Sequence, residues 1–214
     1  FYFEEILTQI LHSEKVLFMK TVLAVLILTF SLQSMIKAED ISDFEIEGMS
    51  VGDSLLDYMS LEKINISKRN YFDDQRNYYV VGLADNLNSY DVLDLYLKTG
   101  DKKYIIRTIG GVLDLSGPKC FSKKDEIAIE LENFFPNIVK EEFEKSHEFD
   151  KSNKSKQYQT VFFLKNTKRA NDPHIRVECS VWSKEVKNKT GFSDSLNVVA
   201  MTTEILDWIY GGYK

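Results

Sequence analysis

Ser54 lies in the run Gly48-Met49-Ser50-Val51-Gly52-Asp53-Ser54-Leu55-Leu56-Asp57-Tyr58, preceded by a turn-prone Gly-Asp pair and followed by two leucines. A serine in such a place is a candidate nucleophile. Hydrolysis by serine also needs a base, a group that orients the base, and donors for the developing oxyanion. The chain has 3 histidines, His12, His147 and His174. The two beyond residue 38 stand in KSHEFD and NDPHIRV. His147, Glu148 and Asp150 also form a small cluster of metal-ligand types. The spacings that build zinc or calcium sites, HExxH, CxxC or an acidic loop with a terminal Glu, do not occur. That cluster is therefore expected to be a solvated polar patch on a helix end or loop. Gly110-Gly111 falls inside an apolar alternating run and not in a phosphate-binding loop. No catalytic residue, metal or cofactor is assigned.

Composition narrows the partners. Over 214 residues the net charge is −6, with 43 % hydrophobic and 28 % charged residues. Those fractions are ordinary for a globular chain with a real core. An acidic chain without a basic patch is a poor ligand for phosphate backbones, so no nucleic-acid partner is expected. The run KSNKSK at 151–156 reads as a solvated loop.

The beginning of the sequence carries a targeting signal. Met19-Lys20 precedes TVLAVLILTFSL, an apolar run of about twelve residues, then QSMIKA and the acidic EDISDFE. This pattern predicts a secretory signal peptide over 19–38, cleaved near Ala38, with residues 1–18 a non-native upstream extension. The apolar run falls short of the roughly 20 residues of a spanning helix, so no stable membrane span is expected after cleavage. Export places Cys120 and Cys179 where disulfides persist, and an even count fits one bridge. A Cys120–Cys179 bond closes a loop of about sixty residues and contributes about 4 kcal/mol in the chain-entropy picture.

The elements follow from period and punctuation. Ser50-x-x-Asp53 reads as a capping box, with Val51, Leu55, Tyr58 and Met59 at helical spacing, which predicts a short helix over 51–60. Tyr78–Val81, VLDLYLK and KYIIRTIGGVLDL read as strands, the last bulged or kinked at Gly110-Gly111. Ser122-x-x-Asp125 repeats the cap about seventy residues on, with Ile127, Leu131, Phe134 and Phe135 as an apolar stripe ended by Pro136. YQTVFFLKN, IRVECSVWS and LNVVAMTT are further strands, and TEILDWI a closing helix. In IRVECSVWS, Ile175, Val177, Cys179 and Val181 face in, while Arg176, Glu178, Ser180 and Trp182 face out. The order predicts an α+β fold of two tandem helix-plus-antiparallel-sheet (αβββ) units, 39–118 and 119–214, which share one sheet or stand side by side. Tyr71, Phe72 and Tyr79 around the first strand, with Trp182, make an aromatic set with two readings, a binding surface, since aromatics are enriched where proteins bind, or rings packed under a loop or a neighbouring helix.

Three resemblances bear on function. AEDISDFEIEGMSVGDSLLDYMS, YDVLDLYLK…KYIIRTIGGVLD and IRVECSVW…LNVVAMTTEILDWI resemble uncharacterised exported proteins of marine alphaproteobacteria, a group that implies no activity. The Gly-Met-Ser, short helix and antiparallel strands are similar to the beta-lactamase-inhibitor-protein-like fold, shared by small outer-membrane assembly lipoproteins. That likeness implies protein binding rather than catalysis, although this chain lacks a lipid-attachment Cys. Gly52-Asp53-Ser54-Leu55 resembles the serine block of GDSL-type serine hydrolases. Those enzymes set the serine at the end of a buried strand and add a Gly-Asn-Asp-type block and an Asp-x-x-His. Here FEIEG is weakly strand-like, neither block occurs, and Asp172-Pro173-His174 has different spacing. The expectation is a periplasmic or secreted, non-enzymatic binding or envelope-associated module, its partner an envelope protein or a small ligand. A hydrolase using Ser54 is the disfavoured alternative.

Overall fold

A computed structural model describes residues 40–69, 77–164 and 171–211. The fold is α+β. Its centre is an eight-stranded, wholly antiparallel sheet in the order β3-β4-β5-β6-β10-β9-β8-β7. The strands are β3 (Lys68–Arg69), β4 (Tyr78–Leu83), β5 (Val92–Lys98), β6 (Ile106–Asp114), β7 (Val139–Ser146), β8 (Lys156–Phe163), β9 (His174–Val181) and β10 (Ser195–Met201). The meander β3–β6 and the meander β7–β10 thus meet through their last strands. Ahead of them, β1 (Glu45–Ile46) and β2 (Met49–Ser50) form a small hairpin.

The helices are α1 (Leu61–Ile66), α2 (Gly117–Phe134), α3 (Lys184–Thr190) and α4 (Thr203–Tyr210). The main core lies on one sheet face. There Leu93, Leu95, Leu97, Ile175, Val177, Leu196 and Val198 are fully buried beneath α2, α1 and the amino-terminal hairpin. Period-two alternation in β5, β9 and β10 does this, because each of these strands sends its aliphatic residues to one face. Inside that interface Lys124 of α2, 9 % exposed, donates to Thr160 Oγ1 of β8 at 2.8 Å. Cys120 in the first turn of α2 is bonded to Cys179 in the middle of β9, so the helix is stapled to the sheet.

On the opposite face α4 covers one end. Ile205, Leu206 and Trp208 pack with Tyr78 and Met201, and Trp208 meets Tyr78 at 4.8 Å between ring centres. Thr202 caps α4 through Ile205 N–H and donates to Arg107 O at 3.0 Å, and Glu204 binds Lys98 and Arg107.

Several local expectations change. Ser50 does not begin a helix. It lies in β2, where its N–H donates to Asp53 at 2.8 Å, and Gly52 has φ +99°, a left-handed value closed to an ordinary helix. The helical starts come later, at Ser54 for a 3-10 turn over Leu55–Asp57 and at Ser60 for α1. Ser122 and Asp125 lie inside α2, which begins after Ser116 with Pro118 in its first turn, the place where a missing N–H costs least. Cys120 is accordingly within the helix and not before it. Each meander has four strands, not three. The added strands are the two-residue β3 and the charged VKEEFEKS of β7, both sheet edges, where a charge-laden strand blocks further pairing.

The bulge also moves. The β5–β6 register slips between Tyr96 and Leu97, leaving Arg107 as the extra residue, whereas Gly110 and Gly111 sit in regular pairing with Asp94 and Leu93. Gly111 is small for another reason, since a Cβ there would meet the Tyr90 ring at 2.5 Å. Gly111→Ala is expected to cost about 1–3 kcal/mol by overpacking, measured by urea unfolding. Stability equal to the unsubstituted chain would mean that Tyr90 moves freely aside.

Candidate functional site

The sheet face opposite α2 holds a hollow of about 370 Å³ between α4 and the β7–β8 turn. Its floor is written in the registers. Val112, Asn197, Glu178 and Gln159 are successive cross-strand partners on β6, β10, β9 and β8. The next row is Ser195, Ser180 and Gln157. Directly opposed residues on one face touch, so polar positions scattered over four strands in sequence become one patch.

Glu178 is its centre and is 4 % exposed. Its Oε1 accepts from Gln157 Nε2 at 2.6 Å and Ser180 Oγ at 2.8 Å, and its Oε2 accepts from Gln159 Nε2. Arg176 Nε lies 3.5 Å from Oε2, an ion-pair contact. Burial opposes ionisation of this carboxyl, but the Arg176 charge and the Ser180, Gln159 and Gln157 hydrogen bonds outweigh it, and its pKa falls below the ordinary 4.5. Glu178 is thus a fixed carboxylate with occupied lone pairs, the opposite of a general acid held protonated near neutral pH. It orients two amides and a guanidinium. A second pair, Arg69–Asp94 at 3.4 Å, stands further along the face.

Two polar atoms of this patch are buried without hydrogen-bond partners, Thr108 Oγ1 and Arg176 Nε. Thr108 is 2 % exposed and lines the hollow beside Gly110. A Cβ at Gly110 would make only an ordinary 3.4 Å contact with Val199. Packing does not demand glycine there. Its effect is a low floor.

The far wall is His147 and Trp182, with two phenylalanines packed behind them. His147 stacks on Trp182 at 4.0 Å between centres, Trp182 meets Phe192 at 5.0 Å, and Phe149 meets Phe192 at 5.5 Å. Phe149 and Phe192 are 57 % and 43 % exposed. Asp150 holds this wall together. It is 6 % exposed and accepts from the N–H and hydroxyl groups of Ser152 and Ser155 and from Ser183 Oγ, which joins the β7–β8 turn to the cap of α3. The Ser152 and Ser155 hydrogen bonds hold the Asp150 carboxyl far below its usual range. Burial lowers the His147 pKa and keeps the ring neutral at pH 7. Phe149 N–H donates to its Nδ1 at 3.2 Å, which assigns the ring proton to Nε2.

The residues singled out from sequence separate. Trp182 joins the hollow. Tyr79 is 8 % exposed in the main core, with the Lys68 ammonium 4.6 Å from its ring centre. Tyr71 and Phe72 lie outside the described residues. His147, Glu148 and Asp150 fall at the end of β7 and in its turn, where Asp150 binds serines, and no metal-holding group occurs among the described residues. Ser54 Oγ donates to Lys103 O at 2.8 Å and accepts from Leu56 N–H at 3.3 Å, the work of a cap. Ser54→Ala is expected to lower stability by about 1 kcal/mol in urea melts, and folded protein to resist fluorophosphonate labelling. Covalent labelling at Ser54 would reinstate the nucleophile.

Gln157, Gln159, Arg176, Glu178 and Asn197 escaped the sequence reading as site residues. The only signal was that KQYQT, IRVECSVWS and SLNVVAM each carry polar residues at alternate positions, which reads equally as a solvent face.

Comparisons with protein-family models, with curated proteins and with solved structures find no match.

Proposed function

We propose that this chain is a small exported, non-enzymatic binding module of the cell envelope, periplasmic or secreted, whose binding surface is the sheet face opposite α2. The observation that carries the reading is the hollow itself. It gathers convergent polar groups, one wall of stacked aromatics and buried polar atoms still unpartnered, which are marks of a recognition site. The buried carboxylate of its floor, Glu178, is committed to hydrogen bonds that favour ionisation, so the patch is built to hold a ligand rather than to move protons. The leader-like residues 19–38 and the Cys120–Cys179 bond support export. Among the described residues no helix is long and apolar enough to cross a membrane. An envelope protein or a small envelope ligand is the partner.

The test uses Trp182, one of 2 tryptophans, as a reporter. Envelope extract, split by size into small molecules and macromolecules, is titrated into the wild-type chain and into Trp182→Phe. A saturable emission change in the wild type that vanishes in the variant supports the reading. A change that persists in Trp182→Phe moves binding away from this face, and no change with either fraction counts against the module.

A further inference from the structure

Building on that reading, we infer that the hollow is a subsite for an uncharged saccharide, one or two pyranose rings seated on the Glu178 patch and against Trp182. Charge comes first. Both carboxylates facing the hollow already stand beside a guanidinium, Glu178 with Arg176 and Asp94 with Arg69. The floor therefore carries local dipoles but no net charge with which to select an ion. An anion would meet two carboxylates, and a cation would meet the Arg176 guanidinium beside carboxylates that are already paired.

Hydrogen-bonding capacity comes second. Thr108 Oγ1 and Arg176 Nε are buried without a hydrogen-bond partner, although Arg176 Nε stands in ion-pair contact with Glu178, and an apolar ligand would leave both hydrogen bonds unmade. A sugar hydroxyl both donates and accepts, so one group can accept from Arg176 Nε and another can donate to, or accept from, Thr108. His147 Nε2–H, neutral at pH 7, adds a donor on the wall.

Shape is third. A pyranose has polar edges and an apolar C–H face, and the hollow has the same division, with a hydrogen-bonding floor and a wall of Trp182 and His147, with Phe149 and Phe192 packed against the Trp182 ring. The electron-rich face of an aromatic ring favours such C–H groups. Gly110 keeps the floor open without any packing need for glycine. The volume of about 370 Å³ lies in the range of small-ligand sites, about 300–1,000 Å³.

The experiment is isothermal titration of the folded chain with cellobiose, maltose and N,N′-diacetylchitobiose, with glucuronic acid and glucosamine as charged comparisons. At least one neutral disaccharide is expected to bind with Kd of about 0.1–1 mM, and the charged sugars more weakly. Thr108→Val, which keeps the shape and removes the hydroxyl, weakens that binding about five- to ten-fold. Trp182→Ala abolishes it, Trp182→Tyr restores part of it, and Gly110→Val weakens it by raising the floor. Circular dichroism and melting confirm that each variant is folded. The methyl glycoside of the best sugar separates two sources of the same chemistry. Equal binding points to sugars within a polymer or glycolipid, and loss of binding points to a free sugar.

Absence of binding by all three neutral disaccharides at about 10 mM, or tighter binding of a charged sugar, overturns the inference. If the sugars fail while the Trp182 response to envelope extract persists, the saccharide is wrong and the binding module stands. If both fail, both fall.

Discussion

Replacing Cys120 and Cys179 together by alanine lowers the stability of the oxidised chain by about 4 kcal/mol. The bond spans 59 positions and links the first turn of α2 to the centre of β9. In the unfolded chain it removes the conformations in which those points are far apart. In the folded chain both residues are 0 % exposed, so alanine also leaves small voids under the helix. For a domain of this size the loss corresponds to a fall in Tm of roughly 8–16 °C. Urea unfolding should show two changes at once. The midpoint falls, and the slope m rises, because the unfolded chain without its cross-link exposes more surface. Reducing the wild-type protein should reproduce both. A double variant within about 1 kcal/mol of the oxidised wild type would mean that packing of α2 through Ile127, Ala128 and Leu131, and not the covalent tie, holds the helix to the sheet.

Much of this interface was legible from sequence because it is local and periodic. Leu93, Leu95 and Leu97 alternate within one strand, Ile175, Val177 and Cys179 within another, and the burial of all six follows from the pleat alone. The closing helix was legible too, since Thr202 and the apolar run after it lie within one turn of each other. The helix starts were not. Ser50-x-x-Asp53 and Ser122-x-x-Asp125 satisfy the cap spacing, but a cap spacing states only which hydrogen bonds are available. At Ser50 a neighbouring glycine at φ +99° sends the chain into a turn, and at Ser122 the helix has already begun at a Gly-Pro pair. β7 was hidden because five of its eight residues are charged. It is a strand through its pairing with β8 along its whole length, a non-local fact.

The site was the least legible part, and for the same reason. Gln159, Glu178 and Asn197 become neighbours only through the order β8-β9-β10 and its register. One strand alone, with Arg176, Glu178, Ser180 and Trp182 on one face, looks like a solvated surface. The strands beside it, α4 and the turn held by Asp150 convert that face into a hollow. Both the correct phase and the mistaken environment come from the same alternation.

Glu178→Ala is expected to cost roughly 3–5 kcal/mol at pH 7, the range for breaking a buried ion pair by removing one partner. The loss arises from what remains. Arg176 keeps a charge that has lost its partner carboxylate, and Gln157, Gln159 and Ser180 each lose an acceptor. Arg176→Ala should cost less, since Glu178 retains three donors. Glu178→Gln separates charge from shape through pH. The native pKa of Glu178 lies below the ordinary 4.5, so the folded state keeps the carboxylate where the unfolded chain has begun to take up a proton. The resulting stability is complete above the unfolded value and is lost as pH falls through the lower native value. In that window wild-type stability should decline more steeply than that of Glu178→Gln, by up to about 1.4 kcal/mol per pH unit. Urea midpoints at intervals from pH 7 to pH 3 measure the difference, and parallel curves would show that Glu178 contributes no such coupling. The same pair of proteins bears on the hollow. A glutamine of nearly equal size can still accept one of the amide hydrogen bonds, so a neutral ligand should survive Glu178→Gln better than it survives Glu178→Ala. A ligand held by the negative charge itself would be lost equally from both.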